Sequence, residues 1–381
     1  MHREREHVQF RHLYVHVPFC ARRCSYCDFS IAVRRTIPMS VYVDAVATEL
    51  ALRNVRDRCD HLQTVYLGGG TPSRLGGEGV TALLHAIRRQ VTIVADAEVT
   101  LEANPEDITA DAVLAWRNAG VTRLSIGVQS FDDRVLQWMH RVHDAPMARA
   151  ALTAARAGGL DAFSVDLIFS VPEMLNRNWE RDVHEILAYR PEHVSLYGLT
   201  VEPHTPLGRW RARGDVVESP DERYASEFMF AHTQLRSAGF EHYEVSNFAL
   251  PGRRARHNSA YWTGAPYLGL GPSAHGFDGT ERRWNVVAYS AWLRALSGAR
   301  DPVGGSEILT NDNIAAETVY LGLRTTDGLV VTAPEKARVA RWLASGWVEW
   351  VDGAPDTLRC TPNGWLRLDS LAADLTAFRS H

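Results

Sequence analysis

Short runs of β-branched and aromatic residues alternate with longer stretches of helical apolar spacing from the N-terminus to about Glu244. This is the signature of repeated strand–helix units around a parallel sheet. Six strands are predicted, at Leu13–Phe19, Thr64–Leu67, Glu98–Glu102, Arg123–Val128, Ala162–Phe169 and His193–Leu199. Helical spacing falls on Ser40–Arg56, Gly79–Val91, Ala110–Ala119, Ala145–Ala157, Trp179–Tyr189 and Asp221–Ser237. Ser40 and Thr109 stand where N-caps are wanted, and Pro220-Asp221-Glu222 puts a rigid residue and two acids at a helix start. Six units are fewer than the eight of a closed barrel, so this α/β sheet is expected to curve and leave an open side.

Beyond Glu244 the alternation stops. The first region, 8–245, is read as the partial (β/α)6 barrel. Residues 246–307 are rich in Gly, Pro, Trp and Tyr and read as an irregular junction. Residues 308–381 read as a small α+β domain of winged-helix-like outline, with helices at Ile314–Leu323 and Pro334–Ser345. A hairpin of Trp347–Val351 and Leu358–Thr361 and a last helix begun by Thr361-Pro-Asn-Gly364 complete it. Winged helices usually bind DNA, but this one lacks a basic face, so a lid or docking module is expected.

Length and charge narrow the picture. A chain of 381 residues exceeds what a single core usually supports, and two domains are expected. The net charge of −4, with both signs interspersed, gives no electrostatic case for a nucleic-acid partner. Arg253-Arg254-Ala-Arg256 is the main basic run. No apolar stretch is long enough to span a bilayer, and Met1–His7 is too charged for a signal peptide. The five cysteines are too few and too irregular for a disulfide scaffold, so Cys59 and Cys360 read as ordinary thiols. A cytoplasmic location fits, and a peripheral visit to the membrane stays open.

The remaining three cysteines, Cys20, Cys24 and Cys27, are spaced to hold three irons of a 4Fe-4S cluster and leave the fourth iron to an external ligand. A zinc site would need a fourth ligand at short spacing, and His16 is the sole local candidate. Polar groups gather at the C-terminal strand ends, where barrels keep their active sites. Gly68–Gly70 lets a ligand approach the backbone. Glu102 suits an ammonium, Arg141 a carboxylate, and Gln129 and Asp166 sugar hydroxyls; an amino acid joined to a nucleoside would satisfy them all. Each also has a structural reading, such as an ion pair for Arg141 or a helix cap for Asp166.

The Cys-x3-Cys-x2-Cys loop followed by Gly68-Gly-Gly-Thr-Pro72 resembles the radical S-adenosylmethionine (SAM) superfamily. The resemblance implies a radical-SAM barrel whose open iron takes the amino and carboxylate groups of SAM, and a reduced cluster able to cleave the sulfonium to a 5′-deoxyadenosyl radical. It puts Tyr14, Tyr26, Gly69, Gly70, Thr71, Glu102, Gln129, Arg141, Asp166 and Gly198 against SAM.

Within the superfamily, His16-Val-Pro-Phe-Cys20, Gly127-Val-Gln-Ser-Phe131 and Asp166-Leu-Ile-Phe-Ser-Val-Pro172 resemble the branch of oxygen-independent coproporphyrinogen III oxidase. Two departures point to the related HemW-type heme chaperones. Phe29 stands where the oxidase has a fourth cysteine, and only 19 residues precede Cys20 where the oxidase has a longer segment. His257-Asn-Ser-Ala-Tyr-Trp262 is similar to the His-Asn-x-x-Tyr-Trp motif associated with heme binding in that group. The resemblance implies His257, Tyr261, Trp262 and, as second choice of iron ligand, His275 as heme contacts, with Arg253, Arg254 or Arg256 pairing the propionates. The plainer reading, in which His257 and Asn258 cap a helix and the two aromatics pack a domain junction, stays open.

The function expected from this resemblance is a heme chaperone serving acceptor hemoproteins, including membrane-bound respiratory cytochromes, with an electron donor if the cluster is reduced. The alternatives are coproporphyrinogen III oxidation and a radical enzyme acting on another tetrapyrrole.

Overall fold

The computed structural model describes residues 9–379; Met1–His7, and Val8 at the start of the expected barrel region, lie outside them, as do Ser380 and His381. The six expected strands form as β1 (His12–Val17), β2 (His61–Gly69), β3 (Thr92–Ala103), β4 (Arg123–Gln129), β5 (Ala162–Phe169) and β6 (His193–Gly198). They run parallel and adjacent in that order, joined by helices. Thr109 caps its helix, accepting from the Ala112 amide. Ser40 does not cap: the helix starts at Met39 behind Pro38, without a side-chain cap. The helical stretch expected to reach Arg56 breaks earlier, because Asn54 takes the left-handed region (φ 49°), which asparagine tolerates, and a short helix Val55–Arg58 follows.

Along each strand, side chains alternate between two chemically different faces. Leu13, Val15, Val65, Leu67, Val99, Leu101, Leu124, Ile126, Val165 and Leu167 are almost completely buried in the core shared with the outer helices. Each such side chain contributes about 1.5–3 kcal/mol of burial. Their neighbours on the concave face are polar: Tyr14, His16, Tyr66, Glu102, Ser125, Asp166 and Tyr197. The apolar core therefore lies outside the curved sheet, and its inside is furnished with hydrogen-bonding groups.

From Glu241 through the stretch 246–307, which has no regular period, short strands extend this same sheet, with helices Arg256–Trp262 and Tyr289–Ser297 between them. β7 (Glu241–Glu244) and β8 (Asn247–Ala249) add antiparallel strands beyond β6. At the other side β9 (Tyr267–Leu270) pairs parallel with β1, and β10 (His275–Phe277), β11 (Glu281–Asn285) and β12 (Val303–Ile308) continue antiparallel. The result is a twelve-stranded open sheet. Gly269 is required in β9, since a Cβ there would lie 1.8 Å from the His275 carbonyl oxygen. Fully buried Glu49 ties this segment to the first helix, accepting from Arg53 (2.6 Å), Asn285 (2.7 Å), the Gly271 amide (2.9 Å) and Trp292 (2.8 Å).

The C-terminal part has helices Asn311–Arg324, Ala333–Ala344 and Leu368–Arg379 against a sheet of β13 (Leu329–Val330), β14 (Val348–Val351) and β15 (Ala354–Cys360). Thr310 and Thr332 head capping boxes. Arg324 fastens this part to the barrel: it pairs with buried Glu244 at 3.0 Å and lies 4.2 Å over the Trp262 ring. No helix among the described residues is long and apolar enough to cross a membrane.

Candidate functional site

The cysteine loop follows β1 and folds back on itself, Phe19–Cys20 pairing in parallel with Ala32–Val33. Backbone bonds from Ser25 to the Met139 carbonyl (3.0 Å) and from Leu207 to the Ser25 carbonyl (2.8 Å) hold it against the far strands. Cys20, Cys24 and Cys27 line one side of a cavity of about 420 Å³ at the C-terminal strand ends. Cys20 lies 3.4 Å from Thr71 Oγ1, and Cys24 Sγ accepts from Arg141 Nη1 at 3.6 Å. Burial pushes the Cys27 thiol up to about 11 and raises that of Cys20. Among the described residues no three His, Cys, Asp or Glu side chains gather around one point as a single metal ion requires. A four-iron cluster is a body whose ligands stand apart. Cys59 and Cys360 are buried elsewhere.

Opposite the thiols, the strand ends supply the polar wall. Gly69 and Gly70 bring backbone to the cavity; a Cβ on Gly70 would lie 2.7 Å from the Pro18 carbonyl carbon, and Gly69 has φ 113°. Glu102 accepts from the Gly69 amide at 3.0 Å and from the Tyr66 hydroxyl at 2.8 Å. Burial outweighs these bonds and raises its carboxyl to about 7. Asp166, also raised by burial, is held by Ser125 (2.8 Å) and Ser164 (3.2 Å). Gln129 ends β4 in the left-handed region at φ 67°, a strained setting for a non-glycine residue that turns the chain at the cavity.

Arg141 is anchored by Asn104 Oδ1 (2.6 Å) and the Gly127 carbonyl (2.9 Å), while its buried Nε has no partner. Burial opposes its charge, but Tyr26, Cys24 and Glu106 outweigh that and hold its pKa above the ordinary arginine value. Burial likewise raises the Tyr26 hydroxyl, which also lines the cavity. Gly198 completes the wall; a Cβ there would collide with Tyr224, 2.3 Å away.

Nine of the ten residues expected around SAM thus surround one cavity. Tyr14 faces an adjoining cleft of about 380 Å³ that shares Gly69 and Glu102 with it. Asn104, Ser125 and Tyr197 line the main cavity and escaped the sequence reading. Asn104 and Ser125 carried a signal, since both stand at or near a strand end in the polar alternation.

The Radical SAM superfamily model matches residues 14–186. Heme chaperone HemW of Mycobacterium tuberculosis is 38% identical over 369 residues, covering 95% of this chain and 94% of that protein. HemW of Synechocystis is 36% identical over 355 residues, covering 89% and 85%. The chain belongs to the HemW family of heme chaperones. Its fold is that of coproporphyrinogen III oxidase (HemN) from Escherichia coli, described as a radical SAM enzyme: the TM-score is 0.81 at 22% identity, covering 98% of this chain and 92% of that one.

The residues of the expected HemW heme motif share one helix but face different surroundings. His257 is 1% exposed, with Nδ1 bonded to Thr64 Oγ1 (2.7 Å) and Nε2 to the Tyr261 hydroxyl (2.8 Å). Burial lowers its pKa to about 3. The cap of its helix, Arg256–Trp262, comes from Glu98, which accepts from the Arg256 and His257 amides at 3.0 and 2.9 Å. Trp262 packs under Arg324 at the junction, whereas Tyr261 and His275 border the adjoining cleft.

Arg253, Arg254 and Arg256 lie at the opposite, N-terminal rim of the sheet, away from both cavities. Arg253 reaches the Asp161 carbonyl, Arg256 that of Asp96, and Arg254 pairs with Glu241 and Asp327. A run of arginines looks like an anion site in sequence, but here it braces strand starts to the C-terminal part.

Proposed function

We propose that this protein binds heme on a scaffold that holds a 4Fe-4S cluster and SAM, and that it passes the heme to acceptor hemoproteins, membrane-bound cytochromes among them. The observation that carries the reading is the loop itself: three cysteines border the cavity, and the next position that could extend the set is Phe29, 60% exposed between the cavity and the adjoining cleft. The donor set fits the implied groups. Cys20, Cys24 and Cys27 would hold the cluster, and their raised thiols would release protons on coordination. Glu102 would accept from the SAM ammonium, Arg141 and its unpartnered Nε would face the carboxylate, and Gln129 and Asp166 would take the ribose. When bound, these groups supply one-electron reductive chemistry, which would require an external electron donor. The chain's own part is to bind, orient and exclude water. Work in the cytoplasm with visits to the membrane surface accords with such acceptors.

The test is anaerobic reconstitution followed by two assays. Saturable heme binding with transfer to an apo-hemoprotein supports the reading. Conversion of coproporphyrinogen III to protoporphyrinogen IX, with no stable heme complex, overturns it.

A further inference from the structure

The inside of the sheet stays polar beneath the main cavity, and side chains there form one continuous chain of hydrogen bonds. Ser164 and Asp166 stand two apart on β5 and so share its concave face; His193 and Ser195 do the same on β6, in register with them. Ser164 Oγ donates to Asp166 Oδ1 at 3.2 Å and lies 2.8 Å from His193 Nδ1. His193 Nε2 lies 2.8 Å from the Tyr243 hydroxyl on β7, and that hydroxyl oxygen accepts from the Ala255 amide at 3.4 Å. Ser195 Oγ flanks Ser164 Oγ at 3.3 Å, and Ser125 donates to the other Asp166 oxygen at 2.8 Å. Ser164, His193, Ser195 and Tyr243 are all buried, whereas Asp166 lines the cavity.

Donor chemistry fixes the direction of this chain. A backbone amide only donates, so among the described residues the Tyr243 proton has His193 Nε2 as its one acceptor. Burial, together with the charge of Arg123, holds the pKa of His193 well below its ordinary value, so the ring is neutral and carries a single N–H. With Nε2 accepting, that N–H stands on Nδ1 and donates to Ser164, which turns the Ser164 proton toward Asp166. The opposite direction would leave the buried Tyr243 proton without an acceptor.

We propose that His193 is a positioning residue: through Ser164 it holds Asp166 as a hydrogen-bond acceptor at the cavity wall, set for a ligand with paired hydroxyls such as the ribose of SAM. The inference rests on the reading of Asp166 as a ribose contact, given above, and names what fixes that contact. Burial raises the Asp166 carboxyl, and the hydroxyl donors oppose this. A serine hydroxyl rotates freely and can serve as donor or acceptor; the N–H of His193 removes that choice. A buried chain in which every link is satisfied is rigid, so the carboxylate is aimed before the ligand arrives.

The test is a double-mutant cycle on the full chain with its cluster reconstituted, reading SAM affinity by anaerobic calorimetry, with iron content and thermal midpoint as checks on folding. Asp166→Ala and His193→Phe should each weaken binding about tenfold. In the Asp166→Ala background His193→Phe should cost nothing further, because its effect passes through Asp166; a residue that merely supports the fold would add its loss in full. His193→Asn, which keeps an N–H near the place of Nδ1, should recover most of the affinity. If His193→Phe does not fold, Tyr243→Phe decides: it removes one oxygen remote from the cavity and should weaken binding about threefold, again only while Asp166 is present. Wild-type affinity in the folded variants of His193 or Tyr243, or losses that add to that of Asp166→Ala, overturns the inference and leaves Asp166 as a ribose contact. Wild-type affinity in Asp166→Ala overturns that contact, and this inference with it.

Discussion

Arg141 donates to Asn104 Oδ1 at 2.6 Å through the same Nη2 that reaches the Gly127 carbonyl, which leaves Nη1 directed at Cys24. Asn104 is itself fixed by Nδ2 bonds toward Glu106 (3.2 Å) and Thr71 (3.4 Å). The guanidinium is thus aimed before any ligand arrives. Asn104→Ala should weaken SAM binding about tenfold, the worth of one charge-assisted hydrogen bond. Anaerobic calorimetry on the reconstituted protein checks this; affinity equal to wild type would show that Arg141 needs no such anchor.

Glu102, with its carboxyl raised to about 7, gives a signed pH dependence. Below about pH 7 it is mostly protonated, and an ammonium ligand favours the carboxylate, so binding expels a proton. SAM affinity should therefore rise with pH up to about 7 and level off above. Titrations at pH 6 in two buffers of different ionisation enthalpy count the protons released; a count near zero contradicts the role. The same group makes the ligand-free fold lose stability as pH rises from about 4.5 to about 7, since over that window the folded chain binds more protons than the unfolded one.

Cys24→Ser should abolish the brown four-iron chromophore after reconstitution, because a cluster with one external position cannot spare a second thiolate. Iron and sulfide content with the visible spectrum measure it. An unchanged iron count would rule out the cluster assignment.

Glu49 receives four donors in a fully buried setting, and among the described residues Arg53 beside it has no second carboxylate within bonding distance. Glu49→Ala should destabilise the fold by about 3–5 kcal/mol, the cost of breaking a buried ion pair. A denaturant titration reads this directly, and a change below about 1 kcal/mol would mean that the pocket refills with water.

The parallel strands and their helices were legible because each is long enough to show its period; Ala162–Phe169, Ala110–Ala119 and Asp221–Ser237 were expected at the residues where they occur. β9 and β10 were not, being three or four residues long, too short for any period to register. Most positions lining the main cavity could be read because chemistry and strand ends coincide there. The surroundings of the His257 motif were not legible, because sequence gives no sign that its ring is buried and bonded to Thr64 and Tyr261. The partners of the Arg253 run were not legible either, because the carboxylates and carbonyls it meets are distant in sequence.

The alternation of apolar outer and polar inner positions along each strand has an evolutionary consequence. Residues that keep the chain folded and residues that meet a ligand are neighbours in sequence but never share a surface, so either set can change without disturbing the other. A catalyst built on such a sheet can lose its reaction and keep its shape, leaving a vessel ready for a different cargo. One lineage can thus yield both an enzyme and a carrier by altering the inward half of the strands and one position in a loop.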